Sequence, residues 1–164
     1  MDDRVIMLVE DNAEDALLIE RALRKSSIRN PVFRANDGLD ALQYLFSTGK
    51  HEDRSKDAMP GLVVIDLNLP KMDGLELLRR MRADYRTKLV PVVIFTASHD
   101  EQDLINGYSL GANSYVRKPV DADRFKETVE RLVKYWITFN EPPPPGERTW
   151  AHHFDPSSTS VTPM

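Results

Sequence analysis

Five short apolar runs, each separated from the next by a segment of helical period, restrict what this chain can fold into more than any other property. The runs are Val5 to Val9, Val32 to Ala35, Leu62 to Ile65, Val92 to Phe95 and Ser114 to Val116. They are mostly continuous in apolar residues, as strands buried on both faces are, and do not alternate as half-wet strands do. Strands that alternate with helices read as βαβ units, so the expected fold is an α/β doubly wound parallel sheet with helices on both faces. The intervening segments run from about Ala13 to Lys25, Gly38 to Phe46, Gly74 to Ala83, Gln102 to Leu110, and onward from near Asp121. In the first, Leu17, Leu18, Ala22 and Leu23 form the expected inward stripe. The fourth offers only Leu104, Ile105 and Leu110, a poor stripe that predicts a loosely held helix.

At 164 residues the chain suits one domain with a tail. We place the domain at residues 1–140 and a proline-rich tail at 141–164. Two segments fall outside the alternation. Ser47 to Met59 is a polar, charged insertion expected to form a surface loop. The run Pro142 to Pro145 cannot continue a helix and favours an extended, stiff conformation.

Ligands of open parallel sheets bind at the carboxyl ends of the strands, so the residues that close the apolar runs carry the chemistry. Glu10 and Asp11 close the first run, Asp66 the third and Thr96 the fourth, while Lys118-Pro119 follows the fifth. Pro119 holds Lys118 out of helical conformation, with either a trans or a cis bond between them. Unit charges about 4 Å apart repel by roughly 4 kcal/mol at an effective dielectric near 20, so three carboxylates in one crevice need an offset. Lys118 is the one permanent cation the sequence places nearby. Glu10, Asp11 and Asp66, with the backbone carbonyl of Asn68, make an all-oxygen set suited to Mg²⁺. Asp66, alone on its strand end before a proline-containing turn, is the best placed nucleophile toward phosphorus. Thr96 and Lys118 then serve as contacts to a phosphoryl oxygen.

Bulk properties narrow the partners. A formal charge of -4 with interspersed signs gives no reason to expect nucleic acid or an anionic membrane. The absence of cysteine excludes thiol catalysis, disulfides and thiolate metal sites. Met1-Asp2-Asp3-Arg4 lacks the layout of a signal peptide, and no apolar run approaches the roughly 20 residues that span a bilayer. A cytoplasmic location is expected. Thr48-Gly49-Lys50 lacks the flanking residues of a P-loop, and the adjacent His152 and His153 lack further metal ligands at convincing spacing.

The strings Leu-Val-Glu10-Asp11-Asn, Asp66-Leu-Asn-Leu-Pro70-Lys-Met-Asp-Gly74, Phe-Thr96-Ala-Ser and Tyr115-Val-Arg-Lys118-Pro119 resemble, in order and spacing, the receiver domains of two-component response regulators, the CheY-like family. The resemblance covers about Arg4 to Trp136. It implies a five-stranded sheet of order 2-1-3-4-5 and Mg²⁺-dependent transfer of a phosphoryl group from a sensor histidine kinase onto Asp66. The family promotes its own phosphorylation and dephosphorylation and acts as a switch, not as a metabolic enzyme. It also implies that Thr96 and Tyr115 form a switch pair. Glu10 stands where many members carry Asp. The insertion before the third strand, the string Leu-Val-Pro91-Val-Val-Ile-Phe-Thr-Ala-Ser and the long last helix further resemble single-domain regulators partnered with bacterial phytochromes.

Two rival readings use the same residues. A phosphatase or phosphotransferase would attack small molecules with Asp66, but Asn68 leaves no second acid to protonate a leaving group. A flavodoxin-type cofactor binder would need a hydroxyl- and glycine-rich loop where this chain has Glu10 and Asp11.

The last helix, from Asp121 to Phe139, would extend roughly 27 Å and overhang the sheet. Its end carries Tyr135, Trp136, Ile137 and Phe139, more apolar surface than one inward stripe buries. The expectation is a homodimer through this helix, with Trp150 and Phe154 of the tail reaching across to the other protomer.

Overall fold

The computed structural model describes residues 4–143. Trp150 and Phe154 lie outside the described residues, as does the rest of the tail beyond Pro143. Five parallel strands stand in the order β2-β1-β3-β4-β5. They are β1 (Ile6–Val9), β2 (Val32–Ala35), β3 (Leu62–Ile65), β4 (Val92–Thr96) and β5 (Ser114–Arg117). Between them run α1 (Ala13–Lys25), α2 (Gly38–Phe46), α3 (Gly74–Ala83) and α4 (Glu101–Ser109), and α5 (Ala122–Lys134) follows. The expected doubly wound sheet and its strand order are both observed, each strand within a residue of its expected bounds.

Side chains alternate across each strand and so feed two separate cores. Ile6, Leu8, Leu62, Val64, Val93 and Phe95 pack with α1 and α5, through Ala16, Ile19, Phe125 and Val129. Met7, Val9, Val63, Ile65, Val92 and Ile94 pack with α2 and α3, through Ala41, Leu45, Leu77, Leu78 and Met81. β1, β3 and β4 are buried on both faces, which is why they read as unbroken apolar runs.

The helices start at the carboxyl edge of the sheet, and each begins with an Asn or Asp cap. Asn12, Asp37, Asp73, Asp100 and Asp121 each accept a backbone amide of the first turn, a contact that stabilises a helix by about 1 kcal/mol. The caps fix where the connecting loops end and therefore where the site residues stand.

Four expectations are corrected. Leu17 of α1 is 42% exposed, and Ala16 and Ile19 take its place in the core. The insertion from Ser47 is not simply a surface loop. A 3₁₀ turn at Gly49–His51 brings His51 edge-on to the stacked rings of Phe33 and Tyr44. The last helix does not continue regularly, because α5 ends at Lys134 and a π-helical turn, Tyr135–Phe139, closes with the Asn140 amide on the Tyr135 carbonyl. That wider turn carries Trp136 and Ile137 back against the α1–α5 core, leaving Tyr135 and Phe139 as the exposed apolar residues. The apolar end is therefore smaller than the sequence suggests. No peptide bond among the described residues is cis, which resolves the Lys118–Pro119 alternative as trans.

Candidate functional site

Four strand ends deliver the polar residues that the sequence singles out. Glu10 follows β1 and is buried, held there by its own amide on the Ala35 carbonyl of β2. Its carboxylate accepts the Asn12 amide, so the turn into α1 closes over it. Asp66 follows β3, its amide bonded to the Val9 carbonyl, and it too is buried. Gly74 makes that position possible: a Cβ there would stand 2.3 Å from the Asp66 carbonyl oxygen, so α3 can start this close to the strand end only with glycine. Thr96, the last residue of β4, is fully buried.

These elements bring the predicted set together. Carboxylate oxygens of Glu10, Asp11 and Asp66 all lie within 4.8 Å of one another, with Asp11 facing solvent. Lys118 Nζ donates to Glu10 Oε2 at 2.7 Å and Asp66 Oδ2 at 2.8 Å. Thr96 Oγ1 donates to Asp66 Oδ1 at 2.8 Å, and the Asn68 amide reaches the same oxygen at 3.4 Å. Both carboxylate oxygens of Asp66 are thus met by donors on the protein side.

Two neighbours escape the sequence reading. Asp15, in the first turn of α1, accepts from Lys118 Nζ at 2.7 Å. Arg34 of β2 donates from Nε to the Glu10 backbone carbonyl at 3.2 Å, so Lys118 is not the only cation beside the crevice. Acids are ordinary in a helix's first turn, where they complement its dipole, and that ordinary role conceals Asp15. Arg34 becomes a neighbour only once β2 pairs with β1, in the register that sets Arg34 beside Leu8.

The electrostatics show strain that a cation would relieve. Burial, reinforced by the Asp66 charge, raises the Glu10 pKa to about 7 against the lowering effect of Lys118. Burial works in the opposite direction on the Lys118 ammonium, but hydrogen bonds to Asp15, Asp66 and Glu10 overcome it and hold its pKa above the ordinary lysine value. One ammonium therefore faces three carboxylates, with Asp11 beside them. Clustered hard oxygen donors, one of them open to solvent, are a donor set that fits Mg²⁺.

Tyr115 lies beyond Thr96, on the edge strand β5. Its ring rests against Gly107 of α4, where an added Cβ would come within 3.3 Å of Tyr115 Cδ2. Its hydroxyl is buried without a hydrogen-bond partner of good geometry, although Ser98 is near enough to act on its pKa, which burial raises. Ser98 donates instead to Asp103 of α4 at 2.6 Å. The loop after β4 thus links Thr96, Ser98 and α4, whose only buried residue is Gly107. α4 buries fewer residues than any other of the five α-helices, and Ile105 of its expected stripe is exposed.

Known proteins resemble this chain in sequence and in fold. The family described as response regulator receiver domain matches residues 6–130. The probable methanogenesis regulatory protein FilR2 of Methanothrix harundinacea is 38% identical over 88% of this chain and 90% of its own length. Among solved structures, the phosphorylated cyanobacterial phytochrome response regulator RcpA superposes with a TM-score of 0.82 at 34% identity, covering 87% of this chain and all of RcpA. The Mn²⁺-bound form of response regulator Rcp1, whose organism is Synechocystis, superposes at 0.80 and 34% identity over 86% and 99%. The chain belongs to the response regulator receiver domain family and is a receiver of two-component signalling.

Proposed function

We propose that Asp66 is the phosphoacceptor, taking its phosphoryl group from the phosphohistidine of a sensor histidine kinase. The observation that carries this reading is that both oxygens of one buried strand-end carboxylate are met by a hydroxyl and an ammonium, beside two further acids. A carboxylate oxygen of Asp66 forms the new bond to phosphorus while the phosphorus–nitrogen bond of the donor breaks, its electron pair returning to the imidazole. Such a transfer needs placement and charge neutralisation more than covalent help. Thr96 and Lys118 supply donors where the phosphoryl oxygens arrive. Glu10, Asp11, Asp66 and the Asn68 carbonyl would hold Mg²⁺, which supplies the remaining neutralisation. The chain thereby promotes its own phosphorylation and, with water as acceptor, the loss of the group.

The Thr96 hydroxyl, once drawn to a phosphoryl oxygen, leaves the space in which Tyr115 settles, and α4 shifts with the ring. The sparse burial of α4 supports this route. The donor kinase is of the phytochrome type, a reading supported by the likeness to RcpA. The output is a protein contact made in the cytoplasm. Residues 1–140 form the receiver, followed by the tail 141–164, and the receiver pairs as a homodimer in which Trp136, Ile137 and Phe139 meet the second copy. The exposed Phe139 and Tyr135 support that surface.

Incubation with a small phosphodonor and Mg²⁺ tests the main reading. The wild-type chain gains an acid-labile phosphate and Asp66→Asn gains none; labelling of Asp66→Asn overturns the assignment. Purified phytochrome-type kinases carrying phosphohistidine are expected to transfer to this chain faster than unrelated sensor kinases do. Light scattering separates the dimer from the monomer: equal, monomeric masses for the full chain and a chain ending at Asn140 overturn the homodimer.

A further inference from the structure

Asp15 is neither one of the three clustered carboxylates nor a contact of Asp66, yet it takes one of the three hydrogen bonds that the Lys118 ammonium makes. Those bonds run to Glu10 Oε2, Asp15 Oδ2 and Asp66 Oδ2, at 2.7, 2.7 and 2.8 Å. An ammonium has three protons, so the set is saturated. Glu10 and Asp66 are the two partners that a bound divalent cation also claims, and Asp66 is the one a phosphoryl group would modify. Asp15 is subject to neither competitor. Its backbone is fixed, because its amide donates to the Asn12 side chain at 3.0 Å in the cap of α1. A short side chain on a capped turn makes a rigid anchor, whereas the four-carbon lysine stem does not.

We infer that Asp15 is a positioning residue for phosphotransfer: it holds the Lys118 ammonium over Asp66 while the cation and the incoming phosphoryl group draw on the other two carboxylates. The inference rests on Asp66 being the phosphoacceptor. It assigns a use to an acid that would otherwise only add negative charge to a crowded site and repel the phosphoryl group. With Asp15 in place, Lys118 meets the arriving oxygen at a fixed point. Without it, the stem samples rotamers and the oxygen meets its partner only part of the time.

The alternative is that Asp15 merely complements the helix dipole, as any acid in a first turn does. Glu14, the neighbouring acid in the same turn, is exposed and supplies the control. The experiment follows phosphorylation by acetyl phosphate at saturating Mg²⁺ in the full chain, for wild type, Asp15→Asn, Asp15→Glu and Glu14→Gln, with a melting curve for each. Asp15→Asn is expected to lower the maximal rate about tenfold while the half-saturating acetyl phosphate concentration stays within about twofold. Asp15→Glu recovers most of the rate, and Glu14→Gln matches wild type. Equal maximal rates for Asp15→Asn and wild type overturn the inference, as does an equal loss in Glu14→Gln or no recovery in Asp15→Glu. If wild type itself acquires no phosphate at Asp66, the phosphoacceptor reading fails instead, so the two failures are distinct.

Discussion

Two long cationic side chains are sequestered at opposite ends of this sheet, and their partners differ in kind. Lys118 at the carboxyl edge is satisfied by three carboxylates. Arg82 of α3, at the amino edge, is satisfied by neutral acceptors alone. Its Nε donates to the Gly111 carbonyl at 2.9 Å, Nη1 to those of Thr87, Lys88 and Val90 at 3.3, 2.9 and 2.8 Å, and Nη2 to Asn113 Oδ1 at 3.0 Å. Arg82 closes three chain segments into one unit and leaves nothing to exchange. Lys118 sits in a site with surplus negative charge, where another cation or anion can take over part of its bonding. The amino edge is a staple and the carboxyl edge is a reaction site, a difference visible in the acceptors alone.

Substitution of the two cations puts that contrast at risk. Lys118→Met leaves buried carboxylates uncompensated, and in the absence of divalent cations it is expected to cost about 3 kcal/mol of stability near neutral pH. Added Mg²⁺ narrows the gap to wild type, because the variant's site is the more negative and gains more from the ion. Arg82→Ala removes the side-chain donor from several carbonyls, among them that of the buried Val90, and should cost roughly 2 kcal/mol whether or not Mg²⁺ is present. Urea unfolding of both variants with and without Mg²⁺ reads the two results. Equal Mg²⁺ dependence in both would remove the distinction between the two edges.

The dependence on pH sharpens it. The Glu10 pKa rises from 4.5 unfolded to about 7 folded. Across that interval the folded state binds more protons than the unfolded state, so stability falls as pH increases. For the metal-free protein the fall attributable to Glu10 is at most about 3 kcal/mol, at roughly 1.4 kcal/mol per pKa unit. Glu10→Gln, which carries no titrating group there, should flatten the slope, and Mg²⁺ should flatten it in wild type. A Glu10→Gln profile parallel to that of metal-free wild type would contradict the cause given for the shift.

The core and the site were legible in the sequence to different depths. Strands buried on both faces leave unbroken apolar runs, so β1, β3 and β4 could be placed to a residue. Helix orientation was less legible. Leu17 looks like a core residue, but α1 turns Ala16 inward and leaves Leu17 exposed, and hydrophobicity alone does not fix which neighbouring position faces the sheet. Glu10, Asp11, Asp66, Thr96 and Lys118 were all readable because each closes an apolar run. Asp15 and Arg34 do not, and their contacts depend on how a turn is capped and which strand pairs with which. The π-helical turn at Tyr135–Phe139 was invisible for a related reason: it shifts each hydrogen bond by one residue without any proline or glycine to mark it.

His51 shows the same limit on a smaller scale. Polar composition makes the segment from Ser47 look like plain solvent-exposed loop, yet His51 Nε2 lies 2.8 Å from Asp40 Oδ1, and Lys50 Nζ lies 3.0 Å from the same oxygen. Burial acts to raise the Asp40 pKa, but hydrogen bonds to His51 and Lys50 outweigh it and bring it below the ordinary value of 3.8. The sign follows directly: this contribution is complete above pH 3.8 and is lost as pH falls through the lower folded value. Asp40→Asn should therefore cost only about 1 kcal/mol at neutral pH, the worth of a charged hydrogen bond that is partly open to water. Hydrogen exchange locates the loss. The amides of His51, Glu52 and Arg54, which bond back to the Thr48, Gly49 and His51 carbonyls respectively, should exchange faster in Asp40→Asn, while those of β3 and β4 and the rate of phosphorylation are unchanged. If exchange rises instead around Asp66, the loop is coupled to the carboxyl edge, and the insertion belongs to the reaction site and not to the scaffold.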